Sequence, residues 1–259
     1  MKVSLFITCL CDAVYPRVGE AMAKVLARCG VEAEFPAVQT CCGQPAFNSG
    51  YWPEAAASAE TLLEAFHDSD FVVAPSGSCC GMIHHYYPKL FENDPEKRER
   101  AERLAEKTYE FTQFLVNVLD IEDLGAVFPH KVTYHPSCHG SRLLGVREEP
   151  MKLLSGVRGL ELVPLPHAED CCGFGGTFAV KMSDISGAMV MEKTDHVLET
   201  EAEVLTGLDM GCLMNISGHL RYRGGPVRVM HLAELLEEGM AAAERPTMAG
   251  SERLGGDRL

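Results

Sequence analysis

Gln39-Thr40-Cys41-Cys42-Gly43-Gln44 spells Cys-Cys-Gly once, and Asp170-Cys171-Cys172-Gly173-Phe174 spells it again. A lone cysteine precedes each doublet, Cys9 in one case and Cys138 in the other, and a further cysteine follows, Cys79 and Cys212. The lone cysteine and the doublet are separated by 31 and 32 residues, and the doublet and the last cysteine by 36 and 39. Corresponding cysteines are displaced by 129, 130 and 133 residues, which is the mark of an internal duplication. Eight of the eleven cysteines fall into this phrase, so each copy is expected to carry one four-thiolate site.

Around the cysteines each half repeats one order of elements. An apolar strand runs up to a cysteine, an amphipathic helix and a second strand lead to the doublet, and another helix and strand lead to the last cysteine. Such alternation builds parallel sheets. The spacing predicts strands at Lys2 to Thr8, Glu32 to Phe35 and Phe71 to Ala74, and again at Lys131 to His135, Leu160 to Leu165 and Glu203 to Leu205. Apolar periodicity predicts helices over Ala21 to Ala27, Glu54 to Phe66 and Ile185 to Leu198. Tyr109 to Leu115 and Val229 to Leu235 each read as a short fourth strand running into a closing helix.

The fold class is therefore α/β: two duplicated Rossmann-like units, each a small, mostly parallel four-stranded sheet flanked by helices. Gly125 and Pro129 mark the boundary. The expected division is 1–128 for the first repeat, 129–243 for the second, and a disordered tail at 244–259. Repeats of roughly 125 residues are long enough to bury their own cores.

A formal net charge of −14 disfavours nonspecific binding to nucleic acid or anionic lipid. No apolar run approaches the roughly 18 residues that span a bilayer. The apolar start, Val3 to Leu10, is interrupted by Cys9, Cys11 and Asp12 and reads as a buried strand rather than an export signal. The cysteines then belong in a reducing, cytoplasmic compartment, where metal or cluster ligation is favoured over disulfides. Glu92 to Lys107 mixes charge signs and reads as a solvated helix.

All three cysteine positions of a copy fall just beyond the carboxyl ends of strands, where open α/β sheets place their ligand crevices. Neighbouring Cα atoms in a doublet are only about 3.8 Å apart, and diverging side chains there suit separate irons of a cluster better than two corners of one zinc tetrahedron. Glycine after each doublet suits a positive φ or close backbone approach. Cys29 reads as a buried mid-helix thiol used as a small hydrophobe. Cys11 and Cys80, each beside a proposed ligand, stay outside the primary set.

With the phrases Gln39 to Asn48, Pro75-Ser-Gly-Ser-Cys79 and Asp209-Met-Gly-Cys-Leu-Met-Asn215, residues 1 to 240 resemble the CCG-domain, or cysteine-rich-domain, iron–sulfur oxidoreductase family. That family includes small two-repeat members serving lactate utilization, the iron–sulfur component of glycolate oxidase and the cysteine-rich component of heterodisulfide reductase. The resemblance implies an electron-transfer role in oxidising L-lactate to pyruvate, jointly with companion lactate-utilization iron–sulfur proteins. It implies two iron–sulfur clusters held by Cys9, Cys41, Cys42 and Cys79 and by Cys138, Cys171, Cys172 and Cys212. Heterodisulfide reductase ends its pattern in Cys-x-x-Cys, but Met82 and Asn215 stand at those positions here. Four cysteines per copy remain, enough for a four-iron cubane.

Rival readings stay open: a component of a thiol–disulfide or heterodisulfide reductase, an iron–sulfur component for another 2-hydroxy acid or for glycerol 3-phosphate, and a non-enzymatic scaffold with two structural zinc sites. No Gly-x-Gly-x-x-Gly follows a strand, and Gly173-Phe-Gly-Gly176 has the wrong spacing for a dinucleotide loop. His84, His85, His135 and His139 flank the sites as candidates for hydrogen bonding to sulfur or proton transfer. Gln44 and Asn215 are candidates for contacting an open iron or a small 2-hydroxy acid substrate, and Arg142 for gripping its carboxylate.

Overall fold

Short apolar runs bounded by turns become the strands of two sheets in the computed structural model, which describes residues 2–245. The first sheet contains Val3–Leu5 (β1), Ala33–Glu34 (β2), Phe71–Ala74 (β3) and Thr108–Glu110 (β4), in the order β2-β1-β3-β4. The second contains Lys131–His135 (β5), Glu161–Val163 (β6), Val204–Gly207 (β7) and Arg228–His231 (β8), in the order β6-β5-β7-β8. Neighbouring strands in both sheets pair in parallel, with Val3 opposite Phe71 and, in the copy, Val132 opposite Val204. The chain order reverses between β1 and β3 and between β5 and β7, so each sheet opens a crevice there.

The first strand is shorter than Lys2 to Thr8 because Cys9 already starts the helix Cys9–Val14. Proline opens the next helix, Pro16–Arg28, earlier than the periodicity indicates, and Cys29 caps its carboxyl end rather than lying mid-helix. The charged stretch forms the helix Pro95–Glu106, capped by Asp94 and carrying exposed ion pairs such as Arg98–Glu102. Glu244 ends the last helix, and the tail from residue 246, expected to be disordered, lies outside the described residues.

The two repeats exchange their closing helices. Leu232–Glu244, after β8, packs on Pro16–Arg28 of the first half, and Arg28 donates two hydrogen bonds of 3.0 Å to Glu244. Reciprocally, Phe111–Val118, after β4, packs on Glu148–Ser155 of the second half. One apolar core thereby joins Val3, Leu5 and Val73 to Val132, Tyr134 and Val204. Each such side chain contributes roughly 1.5–3 kcal/mol on burial, so the halves are held together by the same force that folds them. On the opposite sheet faces lie two separate clusters, one around Cys42 and Cys79 and one around Cys172 and Cys212.

Equivalent capping boxes start the exchanged helices, Glu110 with Gln113 and His231 with Glu234. Glu110 is fully buried, one oxygen accepting from Thr112 and the other without a partner. Burial raises its carboxyl pKa from 4.5 to about 7. The folded state therefore keeps a proton that the unfolded chain releases, and its stabilising effect, complete below pH 4.5, is lost as pH rises towards 7. The buried imidazoles of His135 and His231, lowered to about 4 by burial, act in the opposite sense. Comparing Glu110→Gln with the parent in urea cancels their contribution. The variant is expected to gain about 2 kcal/mol relative to the parent between pH 5 and pH 8. A constant difference across that range would contradict the assignment.

Candidate functional site

Cys9 stands at the start of the helix after β1, Cys41 and Cys42 in the turn after β2, and Cys79 in the first turn of the helix Gly77–Leu90 after β3. The crevice thus gathers thiols from across the sequence. Cys9 Sγ lies 3.5 Å from Cys41 Sγ, and Cys42 Sγ lies 3.4 Å from Cys79 Sγ. Cys41 also hydrogen-bonds Cys42, so the four form one unbroken chain. In the second copy Cys138, Cys171, Cys172 and Cys212 act on one another in the same order. The sequence alone suggests that each doublet's side chains diverge; Cys41 and Cys42 pair with different cysteines, and both line one cavity.

The glycines make that turn possible. Gly43 has φ +80°, and a Cβ there would lie 3.0 Å from Ala55 O; Gly173 has φ +82°, and its Cβ would lie 2.7 Å from Ser186 O. Both positions exclude a side chain on conformation and on space. Tyr87 Oη donates to Cys42 O at 3.0 Å, and Asn215 Nδ2 donates to Cys172 O at 2.8 Å, so each doublet is pinned from the helix that carries the last cysteine of its repeat.

Hydrogen bonds from Cys42 and Cys9 draw the Cys41 thiol down from 9.0 to about 3. Cys171 is lowered in the same way, by Cys138 and then Cys172. Their donors are raised in turn: Cys9 and Cys42 by bonding to Cys41, with burial adding to the shift. The first cysteine of each doublet is thus a thiolate held by neighbouring thiols, a soft, preorganised donor set for a metal.

The first set opens onto a cavity of about 190 Å³ whose walls include Cys9, Cys41, Cys42 and Cys79, and Cys212 of the second set reaches the same wall. Asp209 ties the two sides together. It caps the helix bearing Cys212 through Gly211 N at 3.0 Å, and its other oxygen accepts from Ser76 Oγ at 3.1 Å and Ser78 N at 3.0 Å. Ser76 in turn caps the helix bearing Cys79, accepting from Cys79 N at 3.2 Å. The backbones meet at Gly77 and Gly140, where a Cβ on Gly77 would lie 2.6 Å from Gly140 Cα.

The remaining candidates divide. His139 lines the cavity, and its Nδ1 lies 3.4 Å from Cys138 Sγ. His135 is 2% exposed with both ring nitrogens unpartnered, and together with the Cys172 and Cys212 thiols it forms a group whose donor atoms lie within 4.8 Å of one another. His84 and His85 are instead engaged with the backbone carbonyls of Thr108 and Leu143, at 2.8 and 2.9 Å, and neither lines the cavity. Gln44 lines it and donates to Ser78 O at 3.4 Å. Arg142 acts on the Cys138 thiol in the direction that favours the thiolate, and it is not on the cavity wall.

Cys11 and Cys80 are fully buried, and burial raises both thiols, Cys11 to about 12. Asp209, Ser76 and Lys193 are not identified by the sequence pattern. The first two carry a signal, as helix-capping residues just ahead of Cys212 and Cys79; Lys193 shows only when the repeats are overlaid.

The cysteine-rich domain family, CCG, matches residues 3–84 and again residues 132–217. The chain is 54% identical to "Lactate utilization protein A 2" of Bacillus cereus (strain 03BB102), over 93% of this chain and 99% of that protein. It is 58% identical to "Lactate utilization protein A" of Geobacillus thermodenitrificans (strain NG80-2), over 91% and 98%. Among solved structures it is similar to a hypothetical protein from Helicobacter pylori, with a TM-score of 0.62 at 10% identity, covering 92% of this chain and 49% of that one. That likeness concerns the fold alone. No helix among the described residues is long and apolar enough to cross a membrane.

Proposed function

The chain belongs to the cysteine-rich-domain family, and from that premise we propose that it is the iron–sulfur electron-transfer component of a multi-protein, cytoplasmic system that oxidises L-lactate to pyruvate. The observation that carries this reading is the pair of repeated four-cysteine sets, the first lining a cavity that Cys212 of the second also reaches, in a chain 54–58% identical over nearly its whole length to proteins named for lactate utilization.

The donor set fits the cofactor. Each set of four holds one thiol drawn towards the thiolate, the first cysteine of its doublet, the glycines let each doublet turn closely against the following helix, and the orphaned nitrogens of His135 offer a hydrogen bond to sulfur. A four-iron cluster bound at each site takes up and releases single electrons, whereas zinc has no redox chemistry. Oxidising a 2-hydroxy acid releases electrons, and the chain has no dinucleotide loop to receive them. The redox cofactor is therefore favoured over the zinc scaffold.

This chain's own residues then have definable tasks. Cys9, Cys41, Cys42 and Cys79 hold one cluster, and Cys138, Cys171, Cys172 and Cys212 the other. Asp209 and Ser76 hold the two helix starts against each other, fixing the separation of the sites. His139, on the cavity wall, is placed to take a proton from a small 2-hydroxy acid. Companion iron–sulfur proteins pass the electrons on.

In a strain without a redundant lactate dehydrogenase, deleting the gene is expected to abolish growth on L-lactate while sparing growth on other carbon sources. Normal growth on lactate would overturn the pathway assignment, and disulfide reduction without lactate dependence would favour the reductase reading.

A further inference from the structure

The two sites are built from one repeated plan, so differences between them are informative. The displacement of 129 residues between Cys9 and Cys138 sets His135 where the first repeat has Phe6, His139 where it has Leu10, and Arg142 where it has Ala13. In the helix after the doublet the register is fixed by contact: Gly43 packs on Ala55 and Ser58, and Gly173 on Ser186 and Met189. That places Lys193 where the first repeat has Leu62. Phe6 and Leu62 both belong to the apolar cluster that surrounds Cys42 and Cys79. At each of these four positions the second repeat has exchanged an apolar side chain for a cationic or hydrogen-bonding one.

Lys193 is the most consequential exchange. It is 1% exposed, and its Nζ donates to His167 O at 2.6 Å and Ala168 O at 3.3 Å, in the segment leading into Cys171. Burial disfavours its charge, but Asp170 and then Cys172, Cys171 and Cys212 favour it. No cation stands among the influences on Cys9, Cys41 or Cys42 in the first site. Asp209, which joins the two helix starts, opposes Lys193 at Cys212 and reaches Cys11 and Cys80 of the first repeat, so it does not supply the cationic difference.

We propose that the second site has the higher reduction potential of the two and is where an electron rests, and that Lys193 is the positioning residue that sets this order. Reduction adds negative charge among the thiolates, and a buried cation stabilises that charge far more than it would in water. An apolar surround of Phe6 and Leu62 gives the first site no such help. Passage of one electron from the first site to the second oxidises the former and reduces the latter by one unit, with no proton moved at Lys193 and no co-reactant. Cys212 of the second site lines the same cavity as Cys9, Cys41, Cys42 and Cys79 of the first, which gives a short route.

The inference rests on the iron–sulfur reading, so iron and sulfide are measured first; their absence would defeat that reading rather than this one. Cys42→Ala and Cys172→Ala then give proteins keeping only the second or only the first cluster. In anaerobic potentiometric titrations followed by paramagnetic resonance, the second-site protein is expected to have the more positive midpoint. The reverse order, or equal midpoints, would overturn the proposal. Lys193→Gln, which keeps a hydrogen-bond donor and removes the charge, is expected to move the second-site midpoint to more negative potential, and Lys193→Arg to restore it. Neither should move the first-site midpoint. An unshifted second-site midpoint in Lys193→Gln would remove Lys193 from the role. If Lys193→Gln fails to retain iron, Arg142→Gln, which withdraws the cation bonded to Cys138, is the second variant and should shift the midpoint in the same direction.

Discussion

Cys172→Ala is expected to leave about half of the iron and acid-labile sulfide of the parent protein, because it removes one of four thiolates from the second site and none from the first. Cys172 links Cys171 to Cys212 and is 3% exposed, so its loss breaks the thiol chain at its centre. Water cannot readily enter as a replacement ligand at so buried a position. Cys42→Ala should produce the same loss at the first site, and the double variant should hold almost no iron. Cys29→Ala is the control. That thiol caps the helix Pro16–Arg28 and packs against the shared core, remote in role from either chain. Full iron in Cys172→Ala would strike Cys172 from the ligand set.

Asp209→Ala is expected to cost about 3–5 kcal/mol of stability, because three donors lose their acceptor at roughly 1–3 kcal/mol each. The carboxylate is 7% exposed and takes hydrogen bonds from Ser76 Oγ, Ser78 N and Gly211 N, two of them across the junction between the repeats. Alanine would leave these donors buried without acceptors and uncap the helix bearing Cys212. For a domain of this size the loss corresponds to a fall in Tm of roughly 6–20 °C. Both cysteine sites should also load less completely, since their helix starts share this single clamp. Asp209→Asn keeps one acceptor oxygen and should fall between. A loss below about 1 kcal/mol in Asp209→Ala would show that the clamp adds little to the apolar core that joins the repeats.

Much of this organisation is legible in the sequence because duplication writes it twice. Phe71–Ala74 and Lys131–His135 match their strands residue for residue, since apolar runs in a parallel sheet are bounded by polar turns. The glycine after each doublet is explained by its positive φ and crowded Cβ. Strand ends are less legible: β1 stops at Leu5 because the helix at Cys9 needs the intervening residues for its turn, which no periodicity reports. The exchange of closing helices is also hidden, because Leu232–Glu244 has the same amphipathic pattern whichever half it covers. The placing of Cys41 and Cys42 on one cavity wall depends on a turn conformation that adjacent positions in the sequence do not specify. Lys193 reads as an ordinary helical lysine until the Gly173 contact fixes its register against Leu62.

The central claim is that each four-thiol chain holds a redox-active iron–sulfur cluster. The most direct test is to purify the protein anaerobically and measure iron, zinc and acid-labile sulfide per chain, with visible and paramagnetic resonance spectra before and after reduction. The account predicts about eight irons and about eight sulfides per chain, and spectra that change on reduction. Stoichiometric zinc without sulfide, reproduced in protein made with ample iron, would contradict it and leave a structural scaffold.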